Sequence, residues 1–512
     1  MKSSRYLVCL ITAFSFAWPF SSGMAEEAKF GEKVIVSTGV VVDGWTLIPE
    51  SLVVSPDGQH VAGVARKDKK FCVIHDGKAQ KAYDLVLKDT PIFSPDSKHY
   101  AYCARRGTKW FVVQDSREHE GFEAISIPLY SPDSKRLAYV AEQSGKMMAV
   151  IDGKKQSKYD IVPAKTNIRF SPDSQSVAYT VAHKKKMFVV LNGKEQKTYE
   201  RVTYTTFSPD SKHIVYVAHL TADKKKQVLV QDGKEGPVYE EIGVIYNFSP
   251  DSRRFAYSAK KGSKRFMIVD GKEGSRFSDV AAPQFSPDSK HLAYLVQEDG
   301  KDIMVIDGVI GPKQEMIRQF SYSPDSSRTI MTVKKGGKWV AIIDGKEGQM
   351  YDEVVYSQYG TAFSPDSKHY AYWIKKGNNY AWVLDGKAGP SYETVYPEPL
   401  YSPDSKHFVY MAQKGKKWVV VKDGKESKEY DQVNFPVFSP DSRHFVFMGF
   451  IGDLWMPIVD GVEGKERLAF FLKGTKLRFD SNKSFSIPGY QMRMLSPTEI
   501  SQNAVRIDVD IK

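Results

Sequence analysis

Cysteine is scarce, with three residues in 512, and one of them, Cys9, lies near the N-terminus. A disulfide scaffold and a four-thiolate zinc site are thereby excluded. Beyond residue 25 no stretch approaches the roughly 20 apolar residues that a membrane-spanning helix needs. No long segment carries the apolar period of an amphipathic helix. Glycine patterns that cradle phosphate or a dinucleotide are missing. So are a Gly-x-Ser-x-Gly elbow and a calcium loop of alternating carboxylates. What remains is ordinary globular composition, 41% hydrophobic, 12% aromatic and 26% charged, which excludes a disordered or collagen-like chain. The 73 Lys+Arg against 61 Asp+Glu give a net charge of +12. That excess suits an anionic partner but says nothing about fold.

Residues 1–25 read as a secretory signal. Lys2 and Arg5 precede a mostly apolar run from Leu7 to Phe20, and Gly23-Met24-Ala25 offers small residues for cleavage after Ala25. Cys9 has no small residues just before it and is not a lipidation site. The expected compartment is the periplasm or the cell exterior, with no transmembrane segment after cleavage.

One repeat accounts for almost everything else. Ser-Pro-Asp begins at Ser55, Ser94, Ser131, Ser171, Ser208, Ser249, Ser286, Ser323, Ser364, Ser402 and Ser439, eleven copies at intervals of 37 to 41 residues. A twelfth, lacking proline, stands at Phe479-Asp480-Ser481. Twenty-one residues after each serine comes Asp-Gly, Asn-Gly or Asp-Ser, with Asp232 displaced to twenty-four. An aromatic residue follows seven further on, as at Tyr83, Tyr159 and Tyr392. In Thr361 to Val395 this spacing predicts four strands: one ending at Phe363, then Tyr370 to Ile374, Tyr380 to Leu384 and Tyr392 to Val395. Ser364-Pro365-Asp366-Ser367 makes the first turn, because proline presets φ and the Ser and Asp side chains bond backbone amides. Asp385-Gly386 makes a tight hairpin whose two central residues both need positive φ. Tandem four-stranded antiparallel units of about 40 residues describe β-propeller blades, so the fold class is all-β.

FSPDSKHYAY, LYSPDSKRLAY and FSPDSRRFAYSAKKG resemble the WD-like β-propeller repeat of TolB-type periplasmic proteins, over roughly residues 47 to 482. The resemblance lies in the repeat alone, since no separate N-terminal domain precedes it. Propellers usually have four to eight blades. Twelve units therefore predict two six-bladed rings, residues 26–282 and 283–512, with a boundary near Ala281–Pro283. Seven plus five and one large ring are the alternatives. Val40 to Trp45 reads as the second half of a unit and Lys476 to Leu495 as the first half, so their joining would hide exposed strand edges.

Seven units place serine, aspartate and histidine within six residues, as in Ser94, Asp96 and His99. A hydrolase needs one nucleophile and one oriented base in one pocket, whereas repeated copies are what turn chemistry produces. Four units carry Arg136, Ser176, Arg254 or Arg328 instead of the histidine. The repeated His60, His99, His213, His291, His369, His407 and His444 should begin the second strand half exposed. Rings on neighbouring sheets, about 10 Å apart, do not converge on one ion. His75, His119, His183 and His219 share no ligand spacing. Neither metal nor cofactor is expected. Cys72 and Cys103 sit at non-equivalent positions of consecutive units. A bridge would need their Cβ atoms about 3.8 Å apart, and two half-buried free thiols are the expectation.

The functional signal is distributed. The loop between the second and third strands is basic in eight of the eleven units: Arg66 and Lys67; Arg105 and Arg106; Lys184, Lys185 and Lys186; Lys224, Lys225 and Lys226; Lys260 and Lys261; Lys334 and Lys335; Lys375 and Lys376; Lys416 and Lys417. Equivalent loops emerge on one face of a propeller and gather these charges there. The expected function is an exported, non-catalytic scaffold binding a protein or anionic polymer of the envelope, not nucleic acid. The alternative is an enzyme acting on cell-wall or extracellular polymers from a central channel. An enzyme should show a polar cluster confined to one unit, yet the most deviant unit, Phe438 to Phe471, offers apolar Phe450, Ile451, Leu454 and Trp455.

Overall fold

The computed structural model describes residues 28–37, 44–163, 168–221, 225–281, 283–355, 363–496 and 499–511. The expected signal segment lies outside them. Twelve antiparallel sheets, each of four strand positions, follow one another along the chain. The only helical turn among the described residues is the 3-10 turn Pro49–Ser51, and no helix there is long and apolar enough to cross a membrane.

Blade 2 shows the plan. A first strand in two pieces, Leu85–Val86 and Ile92–Phe93, pairs with Tyr100–Arg106, which pairs with Lys109–Gln114, which pairs with Arg117–Glu118. The second strand is buried along five consecutive residues because neighbouring blades cover both of its faces; only its last two residues, at the hairpin, reach solvent. The Asp-Gly turns behave as the sequence predicts: Asp344 and Gly345 hold φ of 50° and 78°, the pair of left-handed residues that a two-residue hairpin requires. One strand assignment needs correcting. Of the expected fourth strand from Tyr392, only Tyr392 itself bridges back, to Tyr380, beside the short strand Lys387–Ala388. Thr394–Val395 already pairs with Phe408–Lys414 of the next blade. A run that reads as one strand thus serves two sheets.

The cores lie between blades. Ala138, Val140 and Ile151 of blade 3 pack with Val177, Tyr179 and Val181 of blade 4, and a comparable cluster fills every other seam. The aromatics after the Asp-Gly turns, such as Tyr83, Phe122 and Tyr430, are fully buried in these clusters.

This arrangement corrects the division into two rings. Across the expected boundary at 282/283, Ala256 and Met267 of blade 6 share a core with Val280, Leu292 and Val305 of blade 7. At the other end Leu472 of blade 12 packs with Leu47, Leu52 and Val54 of blade 1, and the Val54 N–H donates to the Lys473 carbonyl. The contacts therefore close a single ring of twelve blades. The usual upper count of eight is a statistical preference that twelve nearly identical seams override.

Closure is shared between the chain ends, as expected, with the expected C-terminal segment but a different N-terminal one. Blade 12 is built from Phe470–Phe471 and Arg478–Phe479, Ser484–Ser496, Glu499–Ile511 and the N-terminal strand Ala28–Ser37. Ala28 pairs with Ile511 and Ser37 with Asn503, which covers the edge that Glu499–Ile511 would otherwise expose. Of the segment Val40 to Trp45 expected to do this, residues 40–43 lie outside the described residues, and Trp45 packs against the core between blades 12 and 1. The deviant apolar residues of the unit before closure have a packing role: Phe450 lies 5.0 Å from Trp455, which lies 4.8 Å from Phe471 of blade 12.

Candidate functional site

In an antiparallel four-stranded blade the first and third turns emerge at one end and the second at the other. The Ser-Pro-Asp-Ser and Asp-Gly turns thus share one face of the ring, and the basic hairpins share the opposite face.

On the turn face every polar atom of the motif has a structural task. In blade 10 the Ser402 hydroxyl donates to Asp404 Oδ1 at 2.7 Å and accepts the His407 N–H at 3.0 Å. The second serine of the motif, Ser405, is buried with φ of 64°, and its Oγ accepts the N–H of Asp366 from blade 9. The same blade-to-blade bond recurs from Asp57–Ser97 to Asp404–Ser442. Only the first turn has glycine, Gly58, at this position. The preceding blade makes no demand on it, because the Asp480 N–H is satisfied within its own turn by the Ser484 carbonyl. The serine hydroxyl is the main cause holding the turn carboxyls below their usual range, to about 2 at Asp288 and Asp404.

Six of the seven repeated histidines lead into the second strand half exposed, as expected, and His444 is buried instead. Their partner is one that sequence reasoning missed. Each places Nδ1 2.6–2.8 Å from a carboxylate oxygen of its own Asp-Gly turn: His60 with Asp76, His99 with Asp115, His369 with Asp385, His444 with Asp460. The other oxygen of that aspartate accepts the N–H of the residue after the histidine, as Asp115 Oδ1 does from Tyr100. The exceptions obey the same logic. Arg136, Arg254 and Arg328 direct Nε at Asp152, Asp270 and Asp344. Neutral Ser176 instead faces neutral Asn192, whose amide donates to its hydroxyl. This pairing of cation with aspartate and hydroxyl with asparagine was visible in the sequence as a correlation between two positions 16 residues apart. Ser94, Asp96 and His99 form no relay: the Ser94 hydroxyl meets the His99 backbone N–H, while the ring turns to Asp115.

Grooves open between blades on this face, about 950 Å³ between blades 5 and 6 and about 600 Å³ between blades 2 and 3. Both are lined by these turn residues in mixed charge, with Asp210, His213, Arg253 and Arg254 in the larger. Cys72 and Cys103 are free thiols, both more deeply buried than expected; burial pushes each up to about 12, which keeps them protonated and unreactive.

On the opposite face the structure brings together the expected cations. Arg66, Lys67, Arg105, Arg106, Lys184, Lys185, Lys186, Lys225, Lys226, Lys260, Lys261, Lys334, Lys335, Lys375, Lys376, Lys416 and Lys417 all sit at or beside the hairpin of blades 1, 2, 4, 5, 6, 8, 9 and 10. Lys224 lies outside the described residues. Sequence reasoning missed that carboxylates reach these cations. Arg106 makes a two-pronged pair with Glu118 at 3.0 and 3.1 Å. Lys417 reaches Asp431 at 2.6 Å, Lys334 reaches Glu315 at 3.5 Å, and Lys186 and Lys335 pair with Glu200 and Glu347. Arg105 and Lys375 lie over the Trp110 and Tyr380 rings. The acid following most of the aromatic markers also fixes the next hairpin: Asp84 takes Lys70 with one oxygen and the Gly107 N–H of blade 2 with the other, and Glu123, Asp160, Glu240 and Asp352 bond hairpin N–H groups in the same way. The signal for this was the recurrent Tyr-Asp or Tyr-Glu, as in Tyr83-Asp84, Tyr159-Asp160 and Tyr430-Asp431. Arg66, Lys184, Lys185, Lys226, Lys260, Lys261, Lys376 and Lys416 reach solvent without a carboxylate partner among the described residues.

No family model matches the chain, and no curated protein matches it. Solved structures that align with it include a eukaryotic initiation factor, at 10% identity and TM-score 0.35 over 72% of this chain and 96% of that one. The dihydro-heme d1 dehydrogenase NirN aligns at 12% identity and TM-score 0.27, over 60% and 76% of the two chains. TolB from Acinetobacter baumannii is also among these structural neighbours, at 13% identity and TM-score 0.20, over 58% of this chain and 77% of that one.

Proposed function

We propose that the chain is an exported, non-catalytic scaffold of TolB-like repeats whose hairpin face binds an anionic protein or polymer of the cell envelope. The observation that carries this reading is the recurrence of cations at one position of eight blades of a single ring; six of these blades present cations that reach solvent without a carboxylate partner among the described residues. The paired lysines and arginines hold the hairpins in place, and the eight without carboxylates remain available to a ligand. Exposed charges act over a Debye length of about 8–10 Å, so binding should weaken steeply as salt rises.

The test replaces Lys184, Lys185, Lys260, Lys261, Lys376 and Lys416, six of the cations without a carboxylate partner, by Gln. Surface substitutions of this kind usually change stability by no more than about 0.5 kcal/mol each. The control removes six lysines from the turn face: Lys78, Lys154, Lys194, Lys234, Lys272 and Lys346. Retention on an anionic column should drop markedly more for the hairpin variant. Equal elution of the two variants would reduce the charge to a solubility device.

A further inference from the structure

Each ring histidine on the turn face is matched to its aspartate, but blade 1 adds something that no other blade has. The residue before the Asp-Gly aspartate is Gln114 in blade 2, Gln231 in blade 5, and aliphatic in most others; in blade 1 it is His75. His75 ends the third strand and pairs with Ala62, two residues beyond His60 on the neighbouring strand. The two imidazoles therefore flank one carboxylate. His60 Nδ1 lies 2.7 Å and His75 Nε2 3.7 Å from the same oxygen, Asp76 Oδ2. One donor atom from each residue falls within 4.8 Å of the others, and among the described residues no second group of three such side chains comes as close.

We infer that His60, His75 and Asp76 form a site for a late first-row divalent cation, zinc or copper(II). Two imidazoles and a carboxylate are donors that such ions accept, with the fourth position left to solvent or a ligand. Tetrahedral bonds of about 2.0–2.1 Å put donors about 3.4 Å apart. The 3.7 Å separation already suits that. The 2.7 Å contact opens when His60 carries its ring hydrogen on Nε2 and turns the Nδ1 lone pair to the ion. The surroundings hold the donors in place. Asp76 Oδ1 accepts the Val61 N–H at 2.9 Å, and the His75 ring stacks on Tyr100 of blade 2 at 4.0 Å and 14°. Such outer contacts orient metal ligands. All three side chains are only partly buried, so an ion reaches them from solvent.

Other blades supply the variants for the test. Arginine replaces the repeated histidine in blades 3, 6 and 8 while keeping its aspartate, and glutamine stands at the His75 position in blades 2 and 5. His60→Arg and His75→Gln should therefore fold, as circular dichroism would confirm, while each removes one donor. His99→Arg, the same change in blade 2, is the control. Equilibrium dialysis of the full chain against zinc should show one equivalent bound by the wild type and by His99→Arg, with affinity at least about tenfold lower in the other two. Cobalt(II) substituted at the site should give a tetrahedral visible band that those two variants lose. The inference is overturned if the wild type binds no stoichiometric zinc, if His75→Gln binds as the wild type does, or if His99→Arg loses as much affinity as His60→Arg.

Discussion

The blade-to-blade serine is the most exposed point of the structural account. Ser405 is 5% exposed, and its hydroxyl is the acceptor for the Asp366 N–H at 3.0 Å, across a seam and 39 residues away. Ser405→Ala removes that acceptor without changing the backbone. Asp366 itself reaches solvent, so the loss is that of an ordinary hydrogen bond, about 0.5–1.5 kcal/mol. If exchange is governed by local opening, the Asp366 amide should then exchange about 2 to 13 times faster. Ser405→Gly separates bond from backbone. It loses the same bond, but φ at this position is 64°, and left-handed backbone costs an L-residue about 1–2 kcal/mol. Glycine returns about 0.5–1 kcal/mol of that gain through its greater freedom when unfolded. Relative to alanine, the glycine variant should recover up to about 1.5 kcal/mol. Hydrogen exchange with residue-level resolution reads both effects. Unchanged exchange at Asp366 in the alanine variant, or faster exchange confined to the mutated turn, would refute the proposed cross-seam bond.

Two further outcomes follow from the turns. Gly345 holds φ of 78° with no atom within 4 Å of where a Cβ would stand, so Gly345→Val should lose about 1 kcal/mol or more from backbone strain alone, whereas Gly345→Asn should lose less; an unchanged melting temperature in the valine variant would contradict the turn. In ten turns, from Asp96 to Asp441, bonding to the motif serine lowers the folded-state carboxyl pKa below 3.8. Depressed carboxyl values stabilise the fold above the unfolded value and cease to do so as pH falls through the folded one. Acid unfolding followed by circular dichroism should therefore be steep between about pH 4 and pH 2, and Ser402→Ala should raise the Asp404 titration from about 2 toward 3.8.

Much of the fold was legible because its turns are made by particular residues. Ser-Pro-Asp and Asp-Gly recur at constant spacing, and proline, serine, aspartate and glycine each have a local physical reason to be there. What depends on other blades was less visible. Thr394 and Val395 follow Tyr392 without a break, and nothing local says that the sheet changes between them. Ala28–Ser37 carries none of the repeat's markers, so its place beside Glu499–Ile511 emerges only once a final edge needs covering. The ring number hung on a statistical preference, while the decisive observation, a packed seam between Met267 and Val280, is a tertiary contact. The basic hairpins were found from their lysines and arginines alone, and their neutralising partners, such as Glu118 and Asp431, lie on other segments of the blade. His75 looked unrelated to the other histidines because its relation to His60 runs across strands rather than along the chain.

The central claim is a single closed ring of twelve blades, since both faces and the distribution of charge depend on it. Electron-microscopy class averages of the purified chain, viewed down the ring axis, test it directly. The account predicts one annulus with twelve spokes and no gap between the first and last. Two smaller rings side by side, or an open arc with a free edge at Glu499–Ile511, would contradict it.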